Sequence, residues 1–248
     1  IIFKLNNPLF FIIIYIMQFN NKTYKRSGGM PPKTNTSRKS SASQMRGFNE
    51  SLLDSKTKEF LTLLDKPRKT VQQKADYFKA ISTYDCTNCI LTGLQFSQKN
   101  LAGVNLQNAN LRNTLFNGEY TNLNGANLKG AILEGASLVK ANVSDAFLND
   151  ADLSKSVLIQ TVFIGSDLTG ANFSQANLSA TNFNKSNLTG ANFNEAILSM
   201  TQLSDATLEN ATFTNSSINK IQVNEDTNFK NATFNESRMF QVVFNKIY

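Results

Sequence analysis

From Tyr84 onward the chain counts in fives. Ala126-Asn127-Leu128-Lys129-Gly130 is followed by Ala131-Ile132-Leu133-Glu134-Gly135, and the beat continues through Phe213 and beyond. Each five opens on a small residue, often continues with Asn or Asp, places Leu or Phe at its centre and closes with two mostly polar positions. Centres fall at Cys86, Leu91, Phe96, Leu101, Leu106, Leu111 and Phe116. Two extra residues then intervene around Glu119-Tyr120, and the beat runs unbroken from Leu123 to Val223. One more residue is inserted near Glu225-Asp226, after which the centres are Phe229, Phe234, Met239 and Phe244.

A period of five suits neither a helix, which repeats every 3.6 residues, nor a flat strand, which repeats every two. It is also far shorter than the repeats of helical solenoids. In a chain that turns after every five, the centre and the residue two before it face inward and the other three face outward. Four fives then close one square coil, and stacked coils bring residue i beside residue i+20. Phe173, Phe193 and Phe213 are spaced in this way, as are Phe163 and Phe183. Backbone pairing between coils at about 4.8 Å gives about eight coils and a rod of roughly 38 Å. Each buried Leu or Phe contributes roughly 1.5–3 kcal/mol, and stability grows with the number of stacked coils.

This pattern resembles that of the pentapeptide repeat family, A(D/N)LXX, over roughly residues 84–248. The resemblance implies an all-β solenoid, a right-handed quadrilateral β-helix. The opening Cys86-Thr87-Asn88-Cys89-Ile90-Leu91-Thr92-Gly93 is similar to the start of many bacterial and plastid members, where Cys-x-x-Cys precedes the first Leu-x-Gly fives. Gln98-Lys99 departs from the pattern, since a small residue is usual there.

The N-terminal third reads differently. Residues 1–83 hold 15 Lys/Arg against 5 Asp/Glu, whereas residues 84–248 hold 10 against 13. The basic balance of the chain, +7 in total, therefore belongs to an arm and not to the repeat body. Residues 1–47 form this arm, predicted disordered because residues 20–47 have no apolar set able to build a core. Pro8 to Met17 is apolar and signal-like, but it is shorter than the roughly 20 residues that span a bilayer, and no small-residue cleavage site follows it. Met30-Pro31-Pro32-Lys33 reads as a natural start, which would make residues 1–29 a start-site artefact. Residues 48–83 form a helical segment. Phe48, Leu52, Leu53, Phe60, Leu61 and Leu64 follow helical spacing, with Asn49 or Ser51 as cap and Pro67 as terminator. Thr70 then opens a second helix whose apolar side is Val71, Ala75, Phe78 and Ile81 or Ser82. These stripes are expected to cover the open end of the first coil, while Val242, Val243, Phe244 and Ile247 pack over the last coil or against a partner.

With no His in the chain, the commonest general base and metal ligand is missing. No nucleophile set, metal cluster or phosphate-cradling loop is legible, so neither an enzyme nor a cofactor is expected. Both Cys86 and Cys89 occupy inward positions, which favours small core thiols; a redox pair or disulfide, and half a metal site, are the other readings. A structural zinc site needs four ligands, and the chain has only two Cys. The surface signal is apolar. Val139 and Ile159 are outward and 20 apart, Val157 shares their face, and Val162 and Ile164 lie around the corner. Such a cluster suggests contact with another protein, and Tyr120 on the inserted loop is a second candidate contact.

The function expected is a non-catalytic interaction or structural scaffold. The alternatives are a DNA-mimic regulator of a topoisomerase, which the resemblance makes available but which needs a strongly acidic surface, and an organelle-lumen protein. No nucleic acid is expected on the repeat body, and a membrane role is not favoured. The acid-poor arm is compatible with an organellar transit peptide as well as with a cytoplasmic protein.

Overall fold

The computed structural model describes residues 54–65 and 70–242, without the side chains of Tyr77 and Phe78. The expectations for residues 1–47, for Phe48, Asn49, Ser51, Leu52, Leu53 and Pro67, and for Val243, Phe244 and Ile247 lie outside the described residues.

Each five bends at its last residue. That residue takes the left-handed conformation, with φ of 63° at Gly130, 62° at Lys140, 55° at Asp145 and 60° at Glu195. Gly, Asn and Asp tolerate this region best, and they fill many of these corners. Lys140, Lys155, Gln160 and Glu195 adopt it too, because two backbone bonds fix most of the turns. The amide after the corner donates back to the carbonyl of the centre, as from Ala141 to Leu138 at 2.9 Å. The corner amide itself donates to the next coil, as from Lys140 to the Ile159 carbonyl at 3.0 Å.

The Asn or Asp before each centre has its own mechanism. Its side-chain Oδ1 accepts the amide two residues on, from Gln107 onto Asn105 at 3.2 Å and from Ser174 onto Asn172 at 3.1 Å. This local turn, which only a short polar side chain can make, holds the chain flat along one side of the coil. On two sides the amides also bond from coil to coil, Asn105 to Asp85 at 2.9 Å and Asn127 to Asn105 at 3.0 Å on one, Asn172 to Asp152 at 3.0 Å and Asn192 to Asn172 at 3.1 Å on the other.

Parallel bridges join successive coils and define four faces. Face 1 has rungs at 85, 105, 127, 147, 167, 187, 207 and 228; face 2 at 90, 110, 132, 152, 172, 192, 212 and 233. Face 3 has rungs at 95, 115, 137, 157, 177, 197, 217 and 238, and face 4 at 100, 122, 142, 162, 182, 202 and 222. The offset is 20 except where it crosses the loop at Gly118–Tyr120, which makes it 22, and the insertion near Glu225, which makes it 21. On face 3 the rungs lengthen into β1 (Ile197–Ser199), β2 (Ser217–Asn219) and β3 (Arg238–Phe240), paired in parallel in that order.

Inside, centres from Leu91 to Phe213 are all but fully buried. Rings stack from coil to coil, Phe173 on Phe193 at 5.0 Å, Phe193 on Phe213 at 4.8 Å and Phe163 on Phe183 at 5.2 Å. From Ala126 to Ser216 the inward small positions are Ala, Ser or Thr. Their buried hydroxyls donate to carbonyls of the coil before, as from Thr161 to Leu138 at 2.8 Å and Thr181 to Leu158 at 2.7 Å, or of their own coil, as from Ser156 to Leu153 at 2.6 Å. Unpaired, each would carry a desolvation penalty.

Two helices precede the first coil. Helix α1 (Ser55–Asp65) starts at Asp54, whose Oδ1 accepts the Thr57 amide at 2.8 Å. It buries Phe60, Leu61 and Leu64. Helix α2 (Val71–Thr83) opens on a capping box between Thr70 and Gln73. Of the apolar side expected of this helix, Val71 is 85% exposed and Ala75 is exposed, while Ile81 is buried. The C-terminal end of α2 comes against the coil, where a Cβ on Gly103 would lie 3.2 Å from Ser82 Cβ.

Candidate interaction surface

The coil register sorts outward side chains by face, and the faces differ in charge. Face 1 carries Asp85, Lys129, Asp167, Glu209 and Lys230 beside its centres, and face 2 carries Arg112, Glu134 and Asp152. On faces 3 and 4 the residues flanking the centres include no charged side chain from Gln95 to Asn224. Their outward positions are Asn, Gln and Ser mixed with aliphatic residues and Ala102.

The charges on faces 1 and 2 partly neutralise one another. Glu134 takes Lys155 at 2.7 Å and Arg112 at 3.2 Å, and the Lys155 ammonium foremost, then the Arg112 guanidinium, hold its carboxyl below the ordinary range. Glu209 pairs with Lys230 at 3.1 Å.

The sequence candidates fall where the register places them. Val139, Val157 and Ile159 lie on face 3, and Val162 and Ile164 on face 4 across the shared edge. Val157 and Ile164 are exposed, whereas Val139, Ile159 and Val162 are half-buried. Sequence reading missed Leu115 and Ile197 on face 3, Met200 on the edge between faces 3 and 4, and Phe147 on face 1. Ile197, Met200 and Phe147 are exposed. The signal was present for three of them: Leu115, Phe147 and Ile197 fill the slot before a centre, where Asn or Asp is usual.

Tyr120 is 77% exposed on the two-residue insertion. Beside it, Glu119 pairs with Lys140 at 3.1 Å. An open groove next to the loop is lined by Glu119, Lys140, Asn142, Gln160 and Val162.

Cys86 and Cys89 both face inward and are joined by a disulfide. This departs from the expectation of core thiols: the left-handed Asn88 between them (φ 60°) folds the chain so that their Cα atoms are 5.3 Å apart, within disulfide reach. The bridge sits beside the helices. Lys56 Nζ reaches Asp85 at 3.2 Å and the Thr87 carbonyl at 3.1 Å, and the Tyr84 hydroxyl donates to the Lys56 carbonyl at 2.9 Å. Burial, with Glu59 nearby, pushes the Tyr84 phenol up to about 12. Lys99 also belongs here. Its ammonium points to the end of α1, 3.4 Å from both the Leu64 carbonyl and Asp65, which explains the departure from a small residue at this position.

Among the described residues no group of three or more Cys, Asp or Glu side chains is arranged to hold a metal ion. No helix of the described residues is long and apolar enough to cross a membrane.

Four flat sides, left-handed corners and a 20-residue register define a right-handed quadrilateral β-helix. The family model for pentapeptide repeats matches in eight copies over residues 85–118, 119–154, 146–184, 171–210 and 186–221. The chain belongs to the pentapeptide repeat family. Among solved structures it is similar to HetL, a pentapeptide repeat protein involved in heterocyst differentiation regulation from the cyanobacterium Nostoc sp. strain PCC 7120. That match has 16% identity over 69% of this chain and 95% of HetL, with a TM-score of 0.38. It is also similar to a pentapeptide repeat protein of the Arabidopsis thaliana thylakoid lumen, with 33% identity over 41% of this chain and 67% of that one, TM-score 0.30. A third is QnrB1, a plasmid-mediated fluoroquinolone resistance protein, with 16% identity over 60% of this chain and 88% of that one, TM-score 0.32. No curated protein sequence matches the chain.

Proposed function

We propose that this chain is a non-catalytic interaction or structural protein that presents a rigid β-helical surface to another protein. The observation that carries this reading is the asymmetry of the coil's outside. From Gln95 to Asn224 the residues flanking the centres on two adjacent faces carry no charge and include the aliphatic cluster of Val139, Val157, Ile159, Val162 and Ile164, while the flanking residues of the other two faces carry charges. Contiguous apolar surface on a soluble rod is what a protein contact uses, and a lattice of inter-coil bonds presents it without an ordering cost on binding. The helical segment, with Phe60 against Tyr84 and Phe96, seals the first coil and keeps its edge from pairing with another chain.

A regulator that imitates DNA needs one continuous acidic stripe. The corner column between faces 4 and 1 reads Gly125, Asp145, Gly165, Lys185 and Asp205, so its carboxylates are interrupted by a cation. Capture from native extract by the full chain, beside a variant with Val139, Ile159 and Ile164 changed to Ser, tests the proposal. A partner lost in the variant is expected. Capture of no protein, together with inhibition of a topoisomerase in a supercoiling assay, overturns it.

A further inference from the structure

We infer that the occupant of face 3 is a second copy of this chain, laid antiparallel on the first about a two-fold axis at the rung of Val157 and Ile159. The inference rests on reading this surface as a contact site. In a two-fold contact the same patch meets itself, so any charge would sit close to its own copy. The residues flanking the centres of face 3 include none from Gln95 to Asn219, and the corner cations Lys140 and Lys155 at its borders are paired with Glu119 at 3.1 Å and Glu134 at 2.7 Å. A face without charge also offers nothing to steer or select a charged foreign partner.

The spacing of apolar groups singles out the register. An axis running across the face through rung 157 sets Val157 against Val157 and Ile159 against Ile159. Two rungs away it brings Leu115 opposite Ile197, and along the shared edge it brings the Tyr120 loop opposite Met200. Ile197, Met200 and Tyr120 are 45%, 52% and 77% exposed, so each is available to the other copy. The parallel arrangement sets Leu115 against Asn117 and Ile197 against Ser199, and it leaves Tyr120 and Met200 uncovered. About this axis the seven rungs from 95 to 217 pair, and at about 4.8 Å each, with a side of five residues, they give roughly 450–550 Å². The edge contact of Tyr120 and Met200 carries this toward the roughly 800 Å² per partner of a stable complex.

The test is the mass of the full chain by sedimentation equilibrium, with Ile159→Lys and Ile159→Glu variants and their circular dichroism melts as a check on folding. A wild-type dimer is expected, with each variant monomeric at concentrations where wild type is dimeric. A mixture of the two variants restores the dimer, because opposite charges then meet across the axis. Ile159→Cys cross-links to itself under mild oxidation, whereas Lys129→Cys on face 1 does not. Folded variants that dimerise as wild type does, or a mixture that fails to restore a lost dimer, overturn the self-facing register. A monomeric wild type that captures another protein, lost in Ile159→Lys, overturns the second copy and leaves the contact surface standing. A monomer with no such capture overturns both.

Discussion

The first coil and the interior coils fill equivalent inward slots with different residues. Two before each centre, the first coil holds Tyr84, Cys89, Leu94 and Lys99; an interior coil holds Ser166, Ala171, Ala176 and Thr181. An interior slot has a coil on either side at about 4.8 Å, which leaves room for a methyl or a hydroxyl. A slot in the first coil has a coil on one side only. On the other, Phe60, Leu61, Leu64 and Ile81 enter the same continuous core. A slot stacked on both sides thus needs a small residue, and the turn itself does not require it. The last coil shows that a slot stacked on one side does not demand a large one. It keeps small residues at Ala232 and Ser237, and its centres Phe229 and Phe234 stay half-buried.

Substitutions at the two sites should differ in reach as well as size. Phe193→Asp places a carboxylate between the rings of Phe173 and Phe213, with no cation in the tube. The expected loss exceeds about 4 kcal/mol, comparable with the whole stability of many domains, so the circular dichroism melt should collapse. An unchanged melt would mean that the centres do not carry the fold. Phe60→Ala should cost about 3–5 kcal/mol but only at one end. Amide exchange should rise through residues 85–104 and stay slow around residues 170–190; a uniform rise would show that the helices stabilise the entire rod. Ala191→Leu should cost about 1–3 kcal/mol by overpacking, read from the denaturation midpoint. If it is tolerated as Leu94 is in the first coil, stacking is not what restricts the slot.

The interior was legible in the sequence because the repeat is in phase over long stretches, and a side chain's direction follows from its place in the five. The Phe173, Phe193 and Phe213 ladder could be named from spacing alone. The ends were less legible. Nothing periodic says that Lys99 leaves its inward slot to reach α1, or that Val71 stays in solvent while Ile81 is buried, since both depend on how the helices lie. The disulfide was open for a similar reason: inward register fits two thiols as well as a bridge, and the left-handed Asn88 that brings Cys86 and Cys89 together is a property of the corner. The aliphatic cluster was only partly visible. Val139 and Ile159 show up as a pair 20 apart, whereas Ile197 and Met200 appear only once the chain is wound and each face is read along its length. The absence of charge beside the centres of faces 3 and 4 from Gln95 to Asn224 is likewise a property of the winding and of no single five.

The smallest effect distinguishes the two regions by pH. Asp85 begins the first coil, and the Thr87 hydroxyl and amide, followed by Lys56 of α1, hold its carboxyl down to about 2. A carboxyl depressed by folding adds stability that is fully present above its unfolded value, ordinarily near 3.9, and that is lost as pH falls through the folded value. The window is therefore about pH 4 to 2. Within it the junction between α1 and the first coil should loosen, while the interior coils around Phe173 and Phe193, whose centres carry no titrating group, respond less. Because Asp85 is exposed and salt screens it, the shift should shrink as ionic strength rises. Amide exchange of Thr87 and Cys89 followed from pH 5 to pH 2 checks this, with Asp85→Asn expected to flatten the dependence. Identical profiles for wild type and Asp85→Asn would show that the end is held by Phe60 and Leu64 packing alone, and that Lys56 and Asp85 meet there without adding stability.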